Sequence, residues 1–183
     1  DALETMKDVA ENQAFYARGG YVEDQDMLYM EKDWMDGQDG GRPQREKADP
    51  KEIKRLASTI HPNFDPSKEF VMNEEIGAGT TFYGEGAVAL LLWDPIPGSG
   101  KAYIRMLLTE GYLRLNAGID LIQKLEREAL WSGARSIFTI IPSDSELVPH
   151  MLRGGYKPKG VDVRLMKGKF SRSHECSIIC WSG

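Results

Sequence analysis

The segment from residue 101 to residue 169 most constrains the fold, because it alternates apolar strand patterns with helix patterns. An apolar run at residues 102–108 (AYIRMLL) leads through the loop TEGYLRLNAG into an amphipathic helix pattern at residues 117–131. A second apolar run follows at residues 136–141 (SIFTII), then a short helix pattern that ends at GGY, and a further strand. This order predicts a β-α-β-α-β unit, with a loop and helix N-terminus suited to phosphate at its centre.

Length and composition bound the class of protein. A chain of 183 residues, 41% hydrophobic and 28% charged, is long enough for one domain with a buried core. A net charge of −5 gives no general nucleic-acid signal, and no apolar run approaches the roughly 20 residues that span a bilayer. The start has no secretory pattern, and two cysteines make no disulfide framework. We expect a cytoplasmic protein, with no membrane partner and nucleic acid disfavoured.

The chain has two compositional halves. Residues 1–47 are polar and acidic, whereas residues 48–183 carry most of the apolar patterns. The run DGQDGGRPQ at residues 36–44 has linker chemistry, because Gly, Asp and Pro interrupt helices and strands. Within the acidic half, apolar residues at helical spacing predict a helix over residues 2–16, and MLYM at residues 27–30 predicts a strand. We therefore predict an acidic N-terminal extension and linker, followed by one domain at residues 48–183.

The second half opens with a clear helix start. Asp49 can cap the helix PKEIKRLASTI, and Pro50 suits its first position. Two further segments, EFVMNEEI at residues 69–76 and GAVALLLWD at residues 86–94, precede the strand at residues 102–108. Because the second of these segments is apolar on both faces, we predict that it lies in the middle of a sheet.

The helix pattern after the loop has an apolar and a polar face. The apolar face carries Ile119, Ile122, Leu125 and Ala129. The polar face carries Gln123, Lys124, Arg127 and Glu128. Such a helix packs its apolar stripe on a sheet and exposes the other side.

The order of strand, loop, helix, strand, short helix, Gly-aromatic pair and closing strands resembles the layout of the GCN5-related N-acetyltransferases. The resemblance covers residues 49–183 as architecture, and its specific part is residues 103–156. It implies an α/β (α+β) fold with a central mixed, mostly antiparallel sheet flanked by helices, here with a polar N-terminal extension. It also implies an N-acyltransferase that uses acetyl-CoA and no metal, with a small-molecule or protein amine as acceptor.

In such enzymes the loop after the fourth strand reads Arg/Gln-x-x-Gly-x-Gly/Ala, and its amides hold the coenzyme A pyrophosphate. Pantetheine enters between the splayed fourth and fifth strands. Here Ala117 and Ile119 stand at the two glycines; sliding the motif by one residue aligns Gly118 with the first glycine but places Leu115 on the arginine. Either alignment is partial, so the motif is degenerate where a Cβ would approach phosphate. The resemblance implies these cofactor-binding residues: Leu108, Arg114, Asn116, Ala117, Gly118 and Ile119.

Acyl transfer to an amine needs a base for the amine proton and an acid that reprotonates the thiolate. The family often uses a glutamate and a tyrosine for these steps. The sequence offers Glu110 in the loop and, at the tyrosine position, Met151 with His150 beside it. Histidine is a residue type whose unperturbed pKa lies near neutrality. Glu110 and His150 are therefore the catalytic candidates. A solvated loop carboxylate and a surface histidine are the alternatives.

A noncatalytic function is the other hypothesis. The degenerate loop and the absent tyrosine are similar to those of scaffold members of this fold, including acetyltransferase-like internal virion proteins of podophages. Such a protein would lie inside a virion and assemble, by self-association or with a partner, through acidic residues 1–47 and basic residues 157–172. A loop at residues 114–119 that presents free amides favours the enzyme. A loop filled by the side chains of Leu115 and Ile119 favours the scaffold.

Two other motifs do not support a site. GSGK at residues 98–101 lacks the first glycine and the Ser/Thr of a nucleotide-binding P-loop and precedes a strand, so it predicts a hairpin turn. His174, Cys176 and Cys180 lack a C-x-x-C pair and a fourth ligand, and alternate positions on a terminal strand account for the cysteines. We therefore expect no metal.

Overall fold

The computed structural model describes residues 2–34, 41–168 and 177–179. Its elements are β1 (Ala2–Met6), α1 (Ala10–Arg18), β2 (Val22–Asp33), α2 (Pro50–Ile60), α3 (Ser67–Glu75), β3 (Gly79–Gly84), β4 (Ala87–Trp93), β5 (Lys101–Thr109), α4 (Arg114–Trp131), β6 (Ser136–Pro142), α5 (Val148–Arg153), β7 (Lys157–Met166) and β8 (Ile178–Ile179). The predicted β-α-β-α-β unit is confirmed as β5, α4, β6, α5 and β7. No helix in these ranges is long and apolar enough to cross a membrane.

Seven of the described strands form one sheet in the order β1-β7-β2-β6-β5-β4-β3. Neighbouring strands run antiparallel except β5 and β6, which are parallel and joined by the crossover helix α4. The remaining strand, β8, pairs with β5. The predicted mixed, mostly antiparallel sheet flanked by helices is therefore confirmed.

The parallel pair β5–β6 is short and opens toward the carboxyl ends of both strands. Residues 101–103 of β5 pair with residues 136–138 of β6, and the register continues no further among the described residues. A shift in the pairing with β4 places a bulge at Arg105. Beyond the bulge, Met106 and Leu107 pair antiparallel with β8 instead. The two parallel strands thus part where α4 begins.

The central strands are buried on both faces. On one face, Val88 and Leu90 of β4 share a buried cluster with Phe70 of α3 and with α2. On the other face, Leu91 shares a second cluster with Leu125 of α4 and with α5. The prediction of a central strand that is apolar on both faces is confirmed.

The helix α2 follows from its sequence. The Asp49 carboxylate accepts a hydrogen bond from the Lys51 N–H at 2.9 Å, and Pro50 takes the first helical position. One stripe of the helix is buried against the sheet: Ile53, Leu56, Ala57 and Ile60. The predicted cap and the predicted helix are both confirmed. The predicted hairpin turn at GSGK likewise connects β4 to β5.

The N-terminal residues differ from the prediction. Residues 2–16 do not form one helix, because Ala2–Met6 pairs as β1 with the edge of β7 before α1 begins. Pairing in a sheet overrides the helical spacing of a few apolar side chains. The predicted strand at residues 27–30 lies within β2, which sits between β6 and β7. Residues ahead of 47 thus contribute strands to the same sheet; a domain boundary at residues 47/48 stays a prediction.

The acidic and basic segments meet within one chain. The acidic strand β2 pairs along most of its length with β7, which carries part of the basic stretch at residues 157–172. Near this strand pair, an ion pair joins the Lys7 ammonium and the Asp26 carboxylate at 2.6 Å. The side chains of Arg164 and Glu4 approach to 3.4 Å and are almost fully buried. Self-association through residues 1–47 and 157–172 stays a prediction.

Glu128 lies on the buried side of α4, which corrects its predicted place on the polar face. Its side chain is inaccessible to solvent, and its Oε1 accepts a hydrogen bond from Nε of Arg45 at 2.9 Å and a closer one from a terminal guanidinium nitrogen. The Ser132 hydroxyl lies 3.3 Å from the same oxygen. Arg42 stacks on the Trp131 ring at 3.8 Å. These contacts tie the segment before α2 to the C-terminal end of α4.

Candidate functional site

The N-terminus of α4 faces the place where β5 and β6 part. The helix begins at Arg114, and no side chain caps it. The first amides of a helix have no acceptor within the helix. Here the Ala117 N–H bonds to the Leu113 carbonyl at 3.0 Å, and the N–H groups of Leu115 and Asn116 have no backbone acceptor among the described residues. A helix end of this kind is electrostatically suited to an anion.

The predicted cofactor residues on α4 do not all point the same way. Asn116 is exposed, and Arg114 is half-exposed. Ala117 and Gly118 are buried, while Leu115 and Ile119 are partly buried against the core under α4. Residues 114–119 thus form the first turns of α4 and not a loop, so the helix begins before the predicted residue 117. They still combine both properties weighed above: amides without an acceptor among the described residues at the first turn, and two apolar side chains packed inward.

Gly118 packs against the protein core. A Cβ at this position would lie 3.1 Å from Cδ2 of Leu147 and 3.6 Å from Cδ2 of Leu107. The first distance is tighter than an ordinary side-chain contact, so glycine lets α4 approach the segment before α5 closely. The binding role predicted for Gly118 stays a prediction.

A cavity of about 350 Å³ adjoins the first turns of α4. Its wall includes Asn116 and Ala117 together with charged Lys124 and residues of the β3–β4 turn. The Lys124 ammonium donates to the Tyr83 carbonyl at 2.8 Å. On the other side of the helix end, the Arg114 guanidinium lies 3.6 Å from the Glu146 carboxylate. The phosphate-suited end is thus flanked by side chains of both charges.

Glu110 follows β5 on the side of α2. Its N–H donates to the Gly86 carbonyl at 2.9 Å, and its carboxylate pairs with the Arg55 guanidinium at 2.6 Å. Arg55 also contacts Glu52, and hydrogen bonds to Glu52 and Glu110 raise the pKa of this guanidinium above its ordinary value. Leu108 likewise turns its buried side chain toward α2. The pairing of Glu110 with a fixed cation was not visible in the sequence.

His150 lies on the opposite face, beside a cavity of about 360 Å³ between α4 and α5. One ring nitrogen lies 3.1 Å from the Arg153 guanidinium. The cavity also holds the Lys32–Glu126 ion pair, at 2.7 Å, and the buried Tyr156. Burial, followed by the Glu126 carboxylate, raises the pKa of Tyr156 well above its ordinary value. Since α2 and α5 pack on different faces of the sheet, the structure does not bring Glu110 and His150 together.

The space between the parted strands is occupied by the chain itself. Ile179 of β8 lies opposite Met106, and Ile178 lies opposite Leu107. Ile178 is completely buried. The preceding Ser177 is also buried, and its Oγ accepts from the Thr109 N–H at 3.3 Å. The apolar pair in SIIC was the sequence signal for a strand here, but nothing in it indicated which strand it would join.

No family model matches the sequence, and no curated protein matches it. Solved structures do resemble the fold. A protein from Pyrococcus horikoshii that is provisionally named an acetyltransferase aligns over 98% of this chain and 57% of its own, with TM-score 0.64 and 12% identity. A GCN5-related N-acetyltransferase from Sphaerobacter thermophilus aligns over 90% of this chain and 58% of its own, with TM-score 0.56 and 13% identity. A GNAT-family acetyltransferase from Colwellia psychrerythraea aligns over 92% of this chain and 65% of its own, with TM-score 0.59 and 8% identity.

This chain has the fold of the GCN5-related N-acetyltransferases. The identities are too low to show more than the fold. The chain also spans less than two thirds of each of these three proteins. In residues 2–34, 41–168 and 177–179 no three His, Cys, Asp or Glu side chains are grouped as a metal site. His174, Cys176 and Cys180 lie outside the described residues.

A second polar group of this acetyltransferase fold lies at the amino end of the β5–β6 pair. The Glu31 carboxylate bonds to the Lys101 ammonium at 2.7 Å and accepts from the Ser136 hydroxyl at 2.8 Å. Burial alone would raise the pKa of Glu31, but the hydrogen bonds from Lys101 and Ser136 outweigh it and hold that pKa below its ordinary 4.5. The same contact with Glu31 raises the pKa of Lys101 above 10.5.

These opposite shifts predict how stability depends on pH. A carboxyl whose folded pKa is lowered stabilises the fold above its unfolded pKa and loses that effect as the pH falls through the folded value. We expect intact protein to be more stable than Glu31→Gln at neutral pH, and the difference to shrink as the pH falls below 4.5. Melting temperatures from pH 3 to 8 measure this, with Glu11→Gln on the exposed side of α1 as control. An equal difference at pH 3 and pH 7 would contradict the pairing.

Proposed function

We propose that the protein is an acyl-CoA-dependent N-acyltransferase that transfers an acetyl group from acetyl-CoA to an amine. The observation that carries this proposal is the uncapped N-terminus of α4 at the point where the parallel strands β5 and β6 part. A helix end with unpaired amides suits a pyrophosphate, and the parting of β5 and β6 creates an edge of β5 that residues 177–179 now occupy. The named activities of the structural neighbours support the same reaction class.

The two ends of the cofactor fit the described residues differently. The amides of Leu115 and Asn116, with the Arg114 guanidinium, would hold the pyrophosphate. Bound acetyl-CoA would supply an acetyl thioester. The pantetheine arm does not fit the present arrangement, because residues 177–179 already pair with β5 where it would lie. Glu110 and His150 would serve the proton transfers, although the Glu110 carboxylate now contacts the Arg55 guanidinium.

A noncatalytic assembly function is the second candidate. It is favoured by the occupied space between β5 and β6 and by the inward packing of Leu115 and Ile119. In this case residues 1–47 and 157–172 would contact a partner or a second copy, in the cytoplasm or inside a virion. Binding of acetyl-CoA distinguishes the two candidates.

We expect calorimetry to detect acetyl-CoA binding at or below about 1 mM, and Asn116→Asp to weaken it by about tenfold. The added carboxylate repels the pyrophosphate yet stabilises the helix N-terminus, so the melting temperature should not fall. Asn63→Asp, the same change at an exposed residue, should leave the affinity unaltered. If binding is observed, release of free coenzyme A with a panel of amines then tests transfer.

Equal affinity in Asn116→Asp and in the intact protein would contradict a pyrophosphate site at α4. An absence of binding at about 1 mM, both here and in the released variants described below, would contradict the enzyme and favour the assembly function.

A further inference from the structure

We propose that β8 is an internal competitor for the cofactor: residues 177–179 hold the edge of β5 in the absence of acyl-CoA and leave it when acyl-CoA binds. The inference rests on the proposed function and adds a form of regulation to the same site. Its basis is the place of β8 in the sheet, between two strands that pair with each other only at their beginnings.

The edge of β5 beyond the bulge requires an occupant. With β8 in place, Met106, Leu107 and Leu108 are buried, so the backbone groups along this edge need a hydrogen-bonding partner within the protein. The parting of β6 removes the neighbour that would otherwise satisfy them. Residues 177–179 take this place and supply backbone partners to β5. A ligand that pairs with the same backbone groups as β8 would be extended and would carry amide groups, as a pantetheine arm does.

The contact made by β8 is well suited to reversible release. Its pairing with β5 spans two residues, against three in the β5–β6 pair and six in the β3–β4 pair. The Ser177 hydroxyl lies at long distances from Thr109, 3.3 Å from the N–H and 3.5 Å from Oγ. Among the described side chains of β8, that of Ile178 packs into the core beneath α4. A ligand that occupies the same edge therefore has to displace the buried side chains of Ser177 and Ile178 and a short ladder.

A buried hydrogen bond between β5 and β6 lies where the space between the two strands begins. The Thr139 hydroxyl of β6 donates to the Ile104 carbonyl of β5 at 3.0 Å, and both groups are buried. This bond joins the parted strands just before the bulge. Departure of β8 would thus open the space beyond Arg105 without separating β5 from β6 along their paired residues.

With competition of this kind, the apparent affinity is the intrinsic affinity multiplied by the fraction of molecules in which the edge is open. We expect two released variants to bind acetyl-CoA at least about tenfold more tightly than the intact protein. One is a chain that ends at residue 176. The other is Ile178→Asp, since an unpaired carboxylate is not stable in the apolar site that Ile178 fills. The control Ile96→Asp makes the same change at a side chain that is 63% exposed.

Calorimetry gives the affinities, and circular dichroism confirms that each variant is folded. Tighter binding in both released variants, with Ile96→Asp unchanged, supports competition. Equal affinity in all four proteins overturns it but leaves the proposed function intact. A lack of binding in folded released variants overturns both.

Hydrogen exchange on the intact protein tests the same idea without a substitution. Saturating acetyl-CoA should speed exchange of the Ile178 and Ile179 amides, because β8 leaves the sheet. It should leave the exchange of β4 amides unchanged. Unaltered protection of Ile178 and Ile179 in the bound protein would overturn the proposal.

Discussion

Arg45→Ala should lower the free energy of unfolding by about 3 kcal/mol, a large share of the stability of a domain of this size. The Glu128 side chain has no solvent exposure, and Arg45 donates two hydrogen bonds to its Oε1. Arg42 is farther away, at 3.9 Å from Oε2. Loss of Arg45 would leave the buried carboxylate with a long hydroxyl contact from Ser132 and the more distant Arg42 guanidinium. Urea denaturation followed by circular dichroism measures the change.

Two further variants separate burial from charge. Lys54→Ala removes the exposed Lys54–Asp65 pair, whose side chains are 67% and 38% accessible, and should cost under about 1 kcal/mol. Adding Glu128→Met to Arg45→Ala should restore most of the lost stability, because the uncompensated charge is then gone. If Arg45→Ala is no more harmful than Lys54→Ala, Arg42 and Ser132 suffice for Glu128 and this account of the contact is wrong.

The sequence predicted the elements whose causes are local. The cap at Asp49, the proline at the start of α2 and the apolar stripe beneath it involve residues within one or two helical turns. The β-α-β-α-β unit could be predicted for a similar reason, since each change of periodicity falls at a turn in the chain. The fold resemblance followed from that unit alone.

The ends of the chain could not be predicted in the same way. Nothing within residues 2–6 distinguishes a helix from an edge strand, because the deciding partner is β7, more than a hundred residues later. Residues 177–179 present the same difficulty, because they pair with β5 only where β6 has parted from it, and that parting is not visible in their own sequence. The helical spacing grouped Glu128 with polar residues, so the sequence predicted it on the exposed face of α4. The Arg45 guanidinium, which makes its burial possible, comes from the segment before α2.

The site depends even more on residues distant in sequence. Glu110 and His150 stand at suitable positions in the sequence. In the fold, Arg55 of α2 pairs with Glu110, and the sheet lies between Glu110 and His150. Gly118 shows the limit most clearly. A glycine next to a phosphate and a glycine under a neighbouring leucine look identical in a sequence, and only the position of Leu147 distinguishes them.

Gly118→Val should therefore destabilise the fold by about 2 kcal/mol, because its branched side chain would be forced into the space of Leu147. Leu147→Ala should cost about 3 kcal/mol, since Leu147 is completely buried. In the double variant the valine fills the space that the leucine leaves. The combined loss should be at least about 1 kcal/mol smaller than the sum of the two.

Urea denaturation of the four proteins gives this coupling, and Asp120→Val on the exposed side of α4 controls for helix propensity. Additive losses would show that Gly118 and Leu147 do not compete for space. Because the double variant regains stability, its affinity for acetyl-CoA can be compared with that of Leu147→Ala. Equal affinities would mean that Gly118 serves packing and that Leu115 and Asn116 carry the anion site. Weaker binding in the double variant would mean that the backbone at Gly118 approaches the phosphate itself, as the family motif implies.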